Sequence, residues 1–372
     1  MRRHVRTLVI IGLTVGLMWV FLRNANLPSV WSEIRRAQPK LLIAALGAVA
    51  LSHGARVRRW QQLLAPLGAV GFASAARATI IGFATTAILP GRLGEVLRPY
   101  LLARREQLSV SATLATIVLE RVMDLITVVL LLGVFLVGFA DGLPQDSRPM
   151  LSGLKVGGAF AAAGAVTALA VIALAAGNPD RAGRLVARLV RVLPDRVGGF
   201  AEQTMVAFSR GLGLARQPGR LVRAFVWSFP VWLCVAGSAW AVCHAFGIDL
   251  PLSGSLVLMV LMVLGVAVPT PAGAGGFHAA FQVGATGFYE APLEAAVGAA
   301  LVLHGLSFGP VALLGLVWMV RDGVTLRGAA DLAASSRAHN EARVEEVSVR
   351  RGMMSGLTEV ATDGQSPDEG AA

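Results

Sequence analysis

The sequence predicts an all-α protein threaded repeatedly through a membrane. Of its 372 residues, 55% are hydrophobic and 15% charged, with a mean hydropathy of +0.66. Several apolar runs reach the ~18 to 20 residues that cross a hydrocarbon layer about 30 Å thick. None of them alternates polar with apolar residues, which excludes a spanning β-barrel. About seven full spans are expected, with two broken or re-entrant segments that suggest pseudo-symmetric repeats.

Thr7 to Leu22 is a short span behind the basic start "MRRHVR", without a small-residue cleavage site, and reads as a retained anchor. Leu41 to Ala55 is a second, flanked by Arg35, Arg36 and Lys40 and by Arg56, Arg58 and Arg59. "RVRRWQQLLAPLG" then reads as an interfacial amphipathic helix with Trp60 at headgroup level. Phe72 to Leu89 is apolar, rich in small residues, and ends at Pro90; Ser111 to Ala140 is the longest span. Val156 to Ala176 follows the loop "DGLPQDSRPM". Arg181 to Arg223, dense in arginine, reads as amphipathic helices on a membrane surface. Ala224 to Phe246, Ser255 to Val268 and Glu294 to Val320 are further spans, and "PAGAGGFHAAFQVGATGF" between the last two is too glycine-rich for an ordinary one. Residues 1–326 therefore form one transmembrane domain, and 327–372, rich in Ala, Ser, Glu and Gly, form a disordered tail.

The formal net charge of +11 is nearly all arginine, clustered between apolar runs. That placement points to anionic headgroups and topology signalling, with no nucleic-acid partner. It puts the N-terminus and the Arg181–Arg223 segment in the cytoplasm and the Asp141–Arg148 loop outside, in the cell (inner, cytoplasmic) membrane, provided that Phe72 to Arg105 enters and leaves on one side. The side of the C-terminal tail depends on whether Phe277 to Phe288 crosses fully. Cys234 and Cys243, nine apart in one apolar run, cannot pair on a helix. No metal-ligand spacing occurs, and no cofactor is expected.

Two stretches echo each other. "AILPGRLGE" and "AVPTPAGAGG" both end an apolar run with Pro-x-x-x-Gly, Pro90 to Gly94 and Pro271 to Gly275. Broken hydrophobic segments in matching places of two halves point to a transporter-type site at a repeat interface. Gly94, Gly273, Gly275 and Gly276 allow close backbone approach there. Charges gather at the first break. Arg92, Glu95 and Arg98 follow it, and Glu120, Arg121 and Asp124 lie within the longest run, Glu120 about 14 Å in at ~1.5 Å per residue. Glu120 and Asp124 are i,i+4 and share a face. Charges at such depth face a protein interior or a wet cavity, and the hairpin carrying Arg98 is the obvious partner. Arg92, Arg98 and Arg121 are the expected lipid-phosphate ligands, since a guanidinium holds an oxyanion bidentately. Glu95, Glu120 and Asp124 would orient them. These six charges could also neutralise one another as a structural core.

The pair "LPGRLGEVLRPYLLARRE" and "ATIVLERVMDLITVVLLL" resembles the lysylphosphatidylglycerol synthase transmembrane region, a flippase-like family, over roughly Thr7 to Arg321. "RRWQQLLAPLG" and "VPTPAGAGGF" are similar to its flanking blocks. The resemblance implies a multi-helix lipid-handling module with re-entrant segments, often fused to a soluble aminoacyl transferase. It implies roles for Pro90, Arg92, Gly94, Glu95, Arg98, Glu120, Arg121 and Asp124. The chain departs from it at His278, where many relatives carry an acid, and at His304, where many carry arginine. The residues after Val320 are too few to hold a transferase, so lysyl transfer is not expected of this chain.

His278 and His304 are candidates for a proton-coupled role. His53 reads as a helix-end residue. "HAFGID", His244 with Asp249, has the spacing of a glycerolipid acyltransferase, but no second block accompanies it. No phosphate-binding glycine loop is present. The expected function is binding and translocation of a phosphate-bearing lipid, a phospholipid or a polyprenyl-phosphate precursor, with no enzymatic activity. The alternative is a non-transporting scaffold that presents lipid to a separately encoded enzyme.

Overall fold

The computed structural model describes residues 2–88, 93–177 and 217–323. These are helical, with no strand among them. In chain order the helices are α1 (Arg2–Leu22), α2 (Leu27–Arg36), α3 (Pro39–Leu64), α4 (Phe72–Ile88), α5 (Gly94–Arg105), α6 (Val110–Gly138), α7 (Arg148–Gly177), α8 (Pro218–Val226), α9 (Ser228–Ala245), α10 (Gly254–Ala267), α11 (Gly276–Tyr289) and α12 (Leu293–Arg321). Five stretches are long and apolar enough to cross a membrane, α3, α6, most of α7, α8 joined to α9, and α12. Helix α1 makes a sixth if counted with α2, which bends from it by 80°. The expected count of about seven is not reached among the described residues. The reason is length: α4, with 17 residues, and α10, with 14, rise only about 26 and 21 Å.

Instead each short helix folds back as a hairpin. Helix α5 returns along α4, and a Cβ on Gly94 would land on the carbonyl oxygen of Gly82. Helix α11 returns along α10 in the same way, with Gly276 backbone on Gly265. Both crossings need the missing side chain, so glycine here serves close approach. Phe277 to Phe288 therefore does not cross the bundle but retraces α10.

The hairpins belong to two copies of one unit. In each, a helix (α3 or α9) leads into a hairpin (α4–α5 or α10–α11) and then into a 29-residue helix (α6 or α12). An offset of 183 relates Val110 to Leu293, Gly138 to Arg321 and Gly82 to Gly265, and the returning arms are matched at 182, Gly94 to Gly276. The lead helices pack against each other head to tail. Gln38 N–H, just before α3, donates to Ala245 O at the end of α9, and Ser52 Oγ donates to Val231 O, 2.9 Å away. Helix α12 runs antiparallel to α4, with Asp322 at Arg77 and Gly315 at Ala84. Tracing these directions, α3 ends on the face where α1 begins and α9 ends on the opposite face. The first hairpin dips in from one face and the second from the other. The turn Pro271–Gly273 at the second tip packs on α4, the outgoing arm of the first hairpin. Pro90 lies outside the described residues. Residue 322 ends on the face where α1 begins.

Residues 56–64 are not a separate interfacial helix. They are the last turns of α3, and Trp60 is fully buried. They are enclosed because α6, α8 and α9 all pack against α3. His53 is likewise inside α3 and not at its end. Of the Arg181–Arg223 segment only the stretch from residue 217 is described, and the tail from 327 lies outside the described residues, as does its boundary.

Candidate functional site

Helices α3, α5, α6 and α9 converge on a charged centre. Helix α6 supplies Glu120 and Asp124 one turn apart on its inner face. Helix α3 brings Arg59, wholly shut off from solvent. Its Nη2 donates to Glu120 Oε1 at 2.9 Å, and its Nη1 donates to Asp124 Oδ1 at 2.6 Å and to Ser228 Oγ at 3.0 Å. Arg98, on α5, donates from Nη1 to both oxygens of Glu120 at 3.2 Å. Trp232 of α9 donates its indole N–H to Asp124 Oδ1 at 3.0 Å. Arg121 stands on the outer side, 41% exposed, with Nη1 3.3 Å from Asp124 Oδ2.

Aromatic rings complete the walls. The Arg98 guanidinium lies 3.8 Å from the centre of the Trp60 ring, whose N–H donates to Thr116 Oγ1. Arg56 stands 5.1 Å from the Trp232 ring and 5.9 Å from Phe83, with no ion pair to a carboxylate among the described residues.

The structure thus joins Arg98, Arg121, Glu120 and Asp124, as the sequence suggested. Arg92 and Pro90 lie outside the described residues. Glu95 sits in the first turn of α5, three residues from Arg98. Missing from the sequence reading were Arg59, which binds both carboxylates, and Arg56. The signal was there in the spacing: Arg56, Arg59 and Trp60 fall at i, i+3 and i+4, one face of a helix.

Their presence changes the charge balance. Four guanidinium groups, Arg56, Arg59, Arg98 and Arg121, meet three carboxylates, Glu95, Glu120 and Asp124, so the described cluster carries a net positive charge. Several donors remain unused: Arg59 Nε, Arg98 Nε and Nη2, and Arg121 Nε are buried without a hydrogen-bond acceptor in the protein. For Arg98 this leaves the Nε–Nη2 edge open, the edge that forks onto an oxyanion. A purely structural cluster would close that edge, since a buried unmatched donor costs about 1–3 kcal/mol or more.

The second break holds no guanidinium. Gly273, with φ +68°, Gly275, with φ +82°, and the non-glycine Ala272, with φ +52°, turn the chain there. His278 and His304 stack with ring centroids 4.4 Å apart. Gly275 N–H donates to His278 Nδ1, and His304 Nε2 donates to Ala272 O, each at 3.2 Å. His244 bonds only its own helix, through Trp240 O, and nothing brings Asp249 to it as an acyltransfer pair. No group of three metal-ligating side chains occurs among the described residues.

The model of the lysylphosphatidylglycerol synthase TM region matches residues 6–315. A protein of Haloferax volcanii named Glycosyltransferase AglD is 26% identical over 357 residues, 89% of this chain and 56% of that protein. The chain thus spans little more than half the length of that relative.

Proposed function

The chain belongs to the lysylphosphatidylglycerol synthase transmembrane-region family, and from that membership we propose that it binds a phosphate-bearing lipid at the Arg98 centre and moves it between leaflets. It is a multi-pass, lipid-related membrane protein, and the finer reading rests on one observation. Arg98 gives Nη1 to Glu120 and keeps its Nε–Nη2 edge unpaired in a cluster of net positive charge. A guanidinium edge of that kind holds a phosphodiester through two parallel hydrogen bonds. Arg56 and the exposed Arg121 add charge beside it, while Arg59, Glu120 and Asp124 brace the frame.

Two inverted units with hairpins from opposite faces support transport over scaffolding, because such pairs can exchange which side is open. With positive charge inside, the face where α1 begins is cytoplasmic, as is residue 322. The ligand is a phosphate ester on an apolar tail. Its source is a phospholipid or a polyprenyl-phosphate precursor, and the relative at 26% identity is named a glycosyltransferase. No catalytic role is assigned to any residue.

The test is charge-conserving substitution. Arg98→Lys keeps the charge and loses the fork, so co-purified lipid measured by native mass spectrometry should fall about tenfold or more while thermal stability holds. Wild-type lipid content in Arg98→Lys and in Arg121→Lys would show the cluster to be scaffold, leaving the presentation of lipid to a separate enzyme as the reading.

A further inference from the structure

The repeat offset carries an equivalence beyond the helices. Adding the same 183 to Arg121 gives His304. The second unit therefore places an imidazole where the first places a guanidinium, with the ring of His278 against it. The rings are in contact, and each is tied to the turn at the second tip.

The hydrogen bonds fix which nitrogen carries hydrogen. A carbonyl only accepts, so His304 Nε2 holds the proton and Nδ1 is the bare nitrogen. An amide N–H only donates, so His278 Nδ1 is bare and engaged. The two rings then differ in what a further proton does. On His278 it would land on the atom that accepts from Gly275 and break that bond. On His304 it lands on Nδ1 and leaves the Ala272 bond intact. Two cationic rings in contact oppose each other, so at most one of them carries a further proton, and the hydrogen bonds leave His304 Nδ1 as the atom that could take it.

Among the described residues no carboxylate forms an ion pair with either ring. Phe21 of α1, Phe277 of α11 and Phe308 of α12 surround the rings. Helix α10 has no charged residue, and the one charge of α4, Arg77, is held by Asp322. His244 of α9 is bonded within its own helix. On α3, the His53 ring lies against Phe83, Arg56 stands over Trp232, and Arg59 is bound to Glu120 and Asp124. Glu33, Arg35 and Arg36 of α2, and Glu294 and Arg321 of α12, form no ion pair with the histidines among the described residues. The first unit has a fixed cation and the second a titratable one.

We propose that His304 is a second, proton-switched phosphate site: protonated, it holds a lipid phosphate in the second unit as Arg121 does in the first, and neutral, it releases it. This rests on the lipid-phosphate reading of the Arg98 centre. Translocation would then draw on a proton taken up at one half of the bundle.

The full chain in detergent is titrated with short-chain phosphatidylglycerol, and bound lipids are counted by native mass spectrometry at pH 5.5 and pH 8. The expected result is two lipids for the wild type at the lower pH and one at the higher, with affinity for the second falling by up to about tenfold per pH unit. His304→Arg binds two at both pH values. His304→Gln, which keeps a donor for Ala272, binds one at both. A wild-type count that ignores pH, or an acid-dependent second lipid that survives in His304→Gln, overturns the proposal. Arg98→Lys is run alongside: loss of the pH-independent lipid there reports on the first site alone, so failure of either site is read separately.

Discussion

Arg59 and Glu120 meet at 2.9 Å with neither side chain reachable by solvent. Removing one partner of such a pair strands the other, at about 3–5 kcal/mol. Arg59→Ala should therefore lower the thermal midpoint steeply, and Arg59→Ala with Glu120→Gln should recover part of the loss. Midpoints that move by no more than those of surface variants would show that the pair does not hold α3 to α6.

The pair of Arg77 with Asp322 offers the contrast. It is bidentate, Nε donating to Oδ2 at 2.8 Å, but both side chains are more than a quarter exposed. Arg77→Ala should cost about 0–1 kcal/mol, and high salt should reduce even that. Unfolding of both variants at low and high salt separates the two kinds of ion pair.

The Gly-on-Gly crossings predict opposite outcomes for chemically identical changes. Gly94→Ala and Gly276→Ala force a Cβ into facing backbone and should destabilise by about 1–3 kcal/mol or prevent folding. Gly305→Ala, in α12 with open space around it, should be neutral or stabilising by up to ~1 kcal/mol. Monodispersity and melting in detergent give the readout, and equal tolerance at all three positions would rule out the close crossings.

Side-specific labelling tests the threading. On a cysteine-free background, Asp146→Cys should label from outside and Gly323→Cys from the cytoplasm. Ser147 would be a poor reporter, since it is buried and donates to Pro144 O. Labelling of both from one face would contradict an odd number of crossings between them.

How much of this was legible depends on what each residue's neighbours look like in one dimension. Glu120 and Asp124 stood out because a charge inside an apolar run has few explanations. Both breaks were marked by Pro-x-x-x-Gly. Arg59 was hidden because it lies in "RVRRWQ", where a run of arginines after a span reads as a flank. Only the packing of α6, α8 and α9 shows that the last turns of α3 are interior. Helix α10 read as a span because composition reports apolarity and not where the chain turns back. The breaks alone suggested an offset of 181, from Pro90 to Pro271, and only the paired helices set it at 183 for Arg121 and His304.

The opposed hairpins have an electrical consequence. Water and ions reaching each tip from its own side would carry the bulk voltage of that side inward, so the membrane potential would drop across the seal where Pro271–Gly273 meets α4 and not across the full ~30 Å. One elementary charge crossing 100 mV gains or loses about 2.3 kcal/mol. An anionic headgroup would meet that whole step within a few ångströms, and its rate of passage would depend on voltage, in a direction set by the cell's polarity and not by the protein.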